Sequence, residues 1–175
     1  MSKRPRILLF TGNGKGKTTA ALGMTLRAAG HGMRVLVVQF VKQDASTGEI
    51  AALRNIEQIE LVQTGRGYVP KPDHPQFGEH RAAAEQGLVR AAEAIRSGQY
   101  DLVVLDEVCV AVSLGLLEES EVVKAVGEAS GEMRLALTGR NATPGLIELA
   151  DTVSEIRCIK HAYDAGIPAQ KGVEM

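Results

Sequence analysis

The chain has 175 residues, 45% of them hydrophobic, with 20 Lys+Arg against 21 Asp+Glu and a formal net charge of −1. This is the length of one domain, 1–175, with material for one core, and the balanced charge excludes a dedicated nucleic-acid binder, which needs a clustered basic surface. Its uncharged apolar stretches fall far short of the roughly 20 residues that cross a bilayer, and the segment from Met1 to Pro5 lacks the apolar core of a signal peptide, so no membrane partner and a cytoplasmic location are expected.

Short apolar runs without alternation, as expected of parallel strands covered on both faces, occur at Ile7 to Phe10, Val35 to Val41, Ile59 to Val62, Leu102 to Leu105 and Leu135 to Leu137. Helical patterns lie between and after them, at Lys17 to Gly30, Gln76 to Ser97, Glu118 to Ala129 and Thr143 to Leu149. Pro144 suits the first turn of the last helix, where its missing N–H would be unpaired anyway. The recurring strand–helix–strand order predicts a three-layer α/β fold, an open, mostly parallel sheet with helices on both faces. Two stretches read as loops: Gln63 to Pro75, rich in Pro and Gly, and Lys160 to Met175, with weak periodicity.

The strongest chemical signal is Thr11-Gly12-Asn13-Gly14-Lys15-Gly16-Lys17-Thr18-Thr19, between the first strand and the first helix. Glycines let successive backbone N–H groups converge on phosphate oxygens, and the following helix turns its free N–H groups and positive dipole end toward the same anion. Lys17 suits a terminal phosphate and the Thr18 hydroxyl suits Mg²⁺. The loop departs from the usual G-x-x-x-x-G-K-[ST] spacing, which places Gly where Thr11 stands; counted from Gly12 it is one residue short. Lys15 adds a second cation inside it.

Asp106 and Glu107 follow the strand Leu102 to Leu105, at the sheet edge where open α/β folds bind ligands. Either carboxylate suits Mg²⁺, directly or through water; the alternative is an acidic helix start facing the N-terminal dipole. Thr138, Gly139 and Arg140 end another strand and face the same crevice. Glu118, Glu119 and Glu121 read as an acidic first helical turn. His74 reads as a loop residue and His80 as a helix-surface residue. His161 and Asp164 read as part of a segment ordered against the nucleotide site, since two ligands alone make a poor metal site. Cys109 reads as a buried small apolar residue, and with Cys158 it gives too few cysteines for a disulfide framework.

Thr11 to Gly23, Leu105-Asp106-Glu107, Leu137 to Arg140, Ala150 to Glu155, Lys160-His161-Ala162-Tyr163-Asp164-Ala165-Gly166 and Ala169 to Gly172 occur together and in order. In these motifs the chain resembles the ATP:corrinoid adenosyltransferases of cobalamin biosynthesis and salvage. The resemblance implies a RecA-like phosphate-loop fold and transfer of the 5′-deoxyadenosyl group of ATP to a Co(I) corrinoid, with release of triphosphate. It implies that Asn13, Gly14, Gly16, Lys17, Thr18 and Thr19 contact the triphosphate, beside Lys15. Thr18 and Glu107 would hold Mg²⁺ or Mn²⁺, with Lys17 and Glu107 the catalytic pair, and Arg27 would lie near the nucleoside.

The family's Gly-Phe-x-Trp segment against the corrinoid corresponds here to Gly65-Arg66-Gly67-Tyr68. Only the second aromatic has a counterpart, so Tyr68, with Arg66, becomes the expected corrinoid contact in a chain with three Tyr, three Phe and no Trp. Longer members carry an N-terminal segment over the site, so closure is expected here from loops or a partner subunit. A homodimer is implied, and a reduced flavoprotein would fit as electron donor. From the loop and acidic pair alone, a phosphate-loop ATPase, a small-molecule kinase or a non-catalytic nucleotide-binding module remain alternatives.

Overall fold

Apolar runs too short for helices and too continuous for one-sided strands form the centre of a computed structural model that describes residues 4–44 and 47–173. Met1 to Lys3, at the start of the segment read for a signal peptide, and Glu174 and Met175, at the end of the tail, lie outside the described residues. The strands are β1 (Arg6–Thr11), β2 (Val35–Gln39), β3 (Ile59–Gln63), β4 (Leu102–Asp106), β5 (Arg134–Thr138) and β6 (Thr152–Glu155). They form one sheet in the order β3-β2-β4-β5-β1-β6, and every pair is parallel. Each strand therefore ends at the same edge, which brings Thr11, Gln39, Asp106 and Thr138 together.

Helices α1 (Lys17–Gly30) and α2 (Gly48–Arg54) cover one face, where Ala21, Leu22, Ala28 and Leu53 pack on Val35, Val37, Leu102, Val104 and Ala136. The other face carries α3 (Phe77–Ser97), α4 (Val108–Ser113), α5 (Glu119–Gly127) and α6 (Pro144–Leu149), packed on Leu36, Val38, Val103, Leu105, Leu135 and Leu137. The odd and even residues of each central strand thus go to opposite layers, both of them dry. This gives the three-layer α/β arrangement expected, and among the described residues no helix is long and apolar enough to cross a membrane.

The differences from the sequence reading are local. The second strand stops at Gln39 instead of running to Val41, and Gln63 closes β3 instead of opening the following loop. Gln39 and Gln63 face each other in register, and the Gln63 side-chain amide donates to the Gln39 side-chain oxygen at 2.9 Å. His80 is not a surface residue: it is buried, on the stripe of α3 that continues through Ala84, Leu88 and Ala91. The 3.6-residue period puts it on the inward face despite its polarity. Strand β6 and helices α2 and α4 are additional elements. The Lys160 to Met175 stretch contains one short 3₁₀ turn, Ala162–Ala165, and its described residues are mostly exposed.

Candidate active site

The chain leaves β1 at Thr11 and enters α1 at Lys17 through a loop whose Gly12 and Gly16 have φ of 94° and 117°, the left-handed region that disfavours side chains. The outer side of this loop lies directly against the backbone that follows β6. The Gly14 N–H donates to the Ile156 carbonyl at 2.7 Å, and the Ile156 N–H donates to the Thr11 carbonyl at 2.8 Å. A Cβ on Gly12 would stand 2.5 Å from the Ile156 oxygen, and one on Gly14 would stand 2.8 Å from the Arg157 carbonyl. These contacts account physically for the irregular loop, whose glycines make room for a second segment of chain. The Lys17 ammonium donates to the Gly14 carbonyl at 2.8 Å; burial lowers its pKa, with Glu107 acting in the opposite sense.

At the end of β4, the fully buried Asp106 carboxylate is enclosed by donors. Oδ1 accepts from the Thr18 and Thr138 hydroxyls, each at 2.8 Å, and Oδ2 accepts from the Gln39 side-chain amide at 2.9 Å. The Lys42 ammonium lies 3.3 Å from Oδ2 and donates to Thr18 Oγ1 at 3.2 Å. Glu107 comes next, at φ 64° and ψ 19°, a conformation that costs a non-glycine residue energy and is retained where the surroundings enforce it. Its N–H donates to Thr138 Oγ1 at 2.9 Å, which fixes the turn. Burial raises the Glu107 pKa and Asp106 raises it further, against Lys42, Lys17 and Arg140. Glu107 also immediately precedes α4, but its side chain makes no capping hydrogen bond to that helix. Cys109, two residues on, is buried, and its thiol is pushed up to about 12, chiefly by burial.

A cavity of about 710 Å³ opens over these groups. Asn13, Gly14, Lys15, Gly16, Lys17, Thr18 and Thr19 line it, as do Glu107 and Arg140. Asp106 lies behind Thr18 and does not reach the lining. Arg27 is exposed and outside the lining among the described residues, one turn past Gly23, which is within it. Tyr68 is 93% exposed and Arg66 pairs with Glu79 at 2.7 Å; neither lines this cavity. His161 does line it, its Nδ1 accepting the Tyr163 N–H at 3.2 Å, while Asp164 is exposed.

Sequence reasoning missed Lys42, Gln39 and Glu49. Gln39 and Lys42 carried a usable signal, since Gln39 ends β2 and Lys42 follows it by three residues, at the edge where the ligand crevice of such a sheet opens. Glu49 had none, because α2 was not recognised as a helix.

A family model described as ATP:corrinoid adenosyltransferase BtuR/CobO/CobP matches residues 3–175. The chain is 43% identical over 173 residues to a corrinoid adenosyltransferase of Pseudomonas aeruginosa, covering 98% of this chain and 84% of that protein. It is 39% identical to a corrinoid adenosyltransferase of Escherichia coli K12, covering 98% of this chain and 86% of that protein. To the corrinoid adenosyltransferase CobA of Salmonella typhimurium it is 38% identical, with the same two coverages.

Proposed function

The chain belongs to the ATP:corrinoid adenosyltransferase family, and from that premise we propose that residues 1–175 act as one unit whose cavity holds ATP with its triphosphate on the 12–19 loop. The reaction transfers the 5′-deoxyadenosyl group of ATP to the Co(I) of a corrinoid. The cobalt electron pair forms a bond to C5′, the C5′–O bond breaks with its electrons leaving on triphosphate, and cobalt becomes formally Co(III). The observation that carries this reading is the convergence of Lys15, Lys17, Lys42 and Arg140 on one cavity beside the glycine loop. A carbon-centred displacement that expels a strongly anionic leaving group needs preorganised positive charge more than it needs a protein base.

Under this reading Asn13, Gly16, Thr18 and Thr19 bind the phosphates together with Lys15 and Lys17. Gly14 contributes differently, because its N–H is held by Ile156 and its carbonyl by Lys17. Arrival of a phosphate offers the Lys17 ammonium a stronger acceptor than that carbonyl. The Thr18 hydroxyl and the Glu107 carboxylate are hard oxygen donors that suit Mg²⁺ or Mn²⁺, which would neutralise charge on the leaving triphosphate. Asp106 orients the Thr18 hydroxyl from behind instead of meeting the metal. Leu22, Gly23, Leu26, Gly48 and Glu49, one stretch of the cavity wall outside the loop, take the nucleoside, with Arg27 at its outer margin. Tyr68 and Arg66, on the exposed loop after β3, take the corrinoid. A homodimer, a flavoprotein donor and a cytoplasmic location complete the reading on the strength of the family.

Product analysis tests it. The protein is incubated anaerobically with ATP, Mg²⁺ and chemically reduced cobalamin, and the phosphate species and cobalt spectrum are followed. Free triphosphate with a new Co–C bond is expected, and both should be lost in Lys17→Ala. ADP with orthophosphate or a phosphorylated acceptor would instead identify an ATPase or kinase.

A further inference from the structure

Lys42 stands at a point where two cations compete. Its ammonium donates to Thr18 Oγ1 at 3.2 Å and lies 3.3 Å from Asp106 Oδ2, while its side chain is one-third exposed and lines the cavity. Asp106 is fully buried, and its other partners, Thr18, Thr138 and Gln39, are all neutral. A buried carboxylate needs a countercharge; the Lys42 ammonium supplies the nearest one, and Lys17 acts on it from farther away. The Thr18 hydroxyl donates its one hydrogen bond to Asp106, so its oxygen is left as an acceptor, and Lys42 occupies it. A divalent ion on that oxygen would sit beside the ammonium, and the two like charges repel strongly in so sheltered a place.

We infer that Lys42 is a resident cation of the metal seat: it holds the site closed to metal alone and moves its ammonium onto the triphosphate when metal and nucleotide arrive together. The inference rests on the proposed seat at Thr18 and Glu107. A long, flexible stem makes the move feasible, since lysine carries a compact charge that can swing while its backbone stays put. Lys42 follows β2 by three residues, so its backbone is anchored beside the site while its side chain remains partly free. The consequence is ordered loading: phosphates must be present to receive the displaced ammonium before the metal can take its place. Lys42 is thus a positioning residue in the free protein and a phosphate contact in the loaded one.

Direct Mn²⁺ binding, read by the electron paramagnetic resonance of the free ion, tests this without turnover. Wild type, Lys42→Met, Lys42→Arg and Lys15→Met are titrated with Mn²⁺ alone and with Mn²⁺ plus ATP, and each fold is checked by circular dichroism. Lys42→Met should bind Mn²⁺ alone about tenfold more tightly than wild type, because one like charge beside the seat has gone. With Mn²⁺ alone, Lys42→Arg should stay close to wild type, and so should Lys15→Met, which removes a cavity cation not bonded to Thr18; as a proposed phosphate contact, Lys15 is compared only in that metal-only arm. At saturating Mn²⁺, Lys42→Met should bind ATP about tenfold more weakly than wild type, the cost of one charge-assisted phosphate contact. If Lys42→Met does not fold, Lys42→Gln replaces it. Equal metal-only affinity in wild type and the Lys42 variant, with Mn²⁺ still taken up in the presence of ATP, would overturn the role of Lys42 alone. An equal gain in Lys15→Met would overturn it too, leaving only general electrostatics. A wild type that takes up no Mn²⁺ even with ATP would overturn the seat itself and this inference with it.

Discussion

The Gly14 N–H is bound to the Ile156 carbonyl at 2.7 Å, so the phosphate loop and the chain after β6 form one unit through their backbones. A methyl group on Gly14 would meet the Arg157 carbonyl and the Ile156 side chain, all at 2.8 Å. Gly14→Ala must therefore push the two segments apart and strain both bonds that join them. We expect ATP affinity to fall about tenfold or more, with a stability loss of about 1–3 kcal/mol, as for other overpacked sites. Isothermal calorimetry and thermal unfolding measure the two effects, and unchanged values for both would remove the interlock as a constraint on loop shape.

Glu107 gives a second prediction, with opposite signs for stability and binding. Burial and the neighbouring Asp106 raise its pKa, so in the free protein the charged form is the unfavourable one. The folded-state pKa exceeds the unfolded one, so the metal-free protein gains stability as pH falls through the folded value toward the unfolded value. Glu107→Gln removes that penalty at neutral pH and should raise the melting temperature by about 2–4 °C if the gain is near 1 kcal/mol. The same substitution, or acidification through the raised pKa, should abolish metal-dependent tightening of ATP binding. Melting curves and ATP titrations with and without Mg²⁺, across pH, check both halves. A variant that is no more stable but still responds to Mg²⁺ would contradict both.

The layers of this fold were legible because the central strands are buried on both sides, which writes uninterrupted Val and Leu runs into the sequence. Helix α1 was located from end to end because the glycine loop and an amphipathic run bracket it. Strand β6 was not, since its four residues are all exposed and its pairing with β1 is backbone chemistry that leaves no apolar pattern. His80 was misplaced because polarity was weighed above its position on the α3 stripe. In the site, the loop and the acidic pair were visible as local motifs. The place of Lys42 just after a strand was visible too, but its contacts were not, because Thr18 and Asp106 are 24 and 64 positions away in sequence, on α1 and at the end of β4.

Tyr68 carries the third prediction. It is 93% exposed on a loop beside the site edge, and its ring makes no stabilising contribution to the core. Removing a ring that serves only the proposed corrinoid contact should leave folding untouched. Tyr68→Ala is expected to keep the wild-type melting temperature and the KM for ATP while raising the KM for the corrinoid several-fold. Tyr68→Phe should restore most of the difference, since ring face and area supply the contact. A steady-state comparison of the three proteins decides this, and an unchanged corrinoid KM in Tyr68→Ala would move the corrinoid face elsewhere.

Gly23 carries the fourth prediction. It lies in the middle of α1, where glycine costs a helix about 1 kcal/mol relative to alanine, and no atom lies within 4 Å of where its Cβ would be. Gly23→Ala should therefore stabilise the free protein by about that amount, which for a chain of this size is about 2–4 °C in melting temperature. The new methyl group projects into the cavity between Leu22 and Leu26, the stretch of wall assigned to the nucleoside. ATP should then bind several-fold more weakly, while inorganic triphosphate, held on the glycine loop, should bind as it does to wild type. Competition titrations with the two ligands separate these effects. A parallel loss for both would place the phosphates, not the nucleoside, against this turn of α1, whereas no loss for either would leave that stretch of wall outside the nucleotide site.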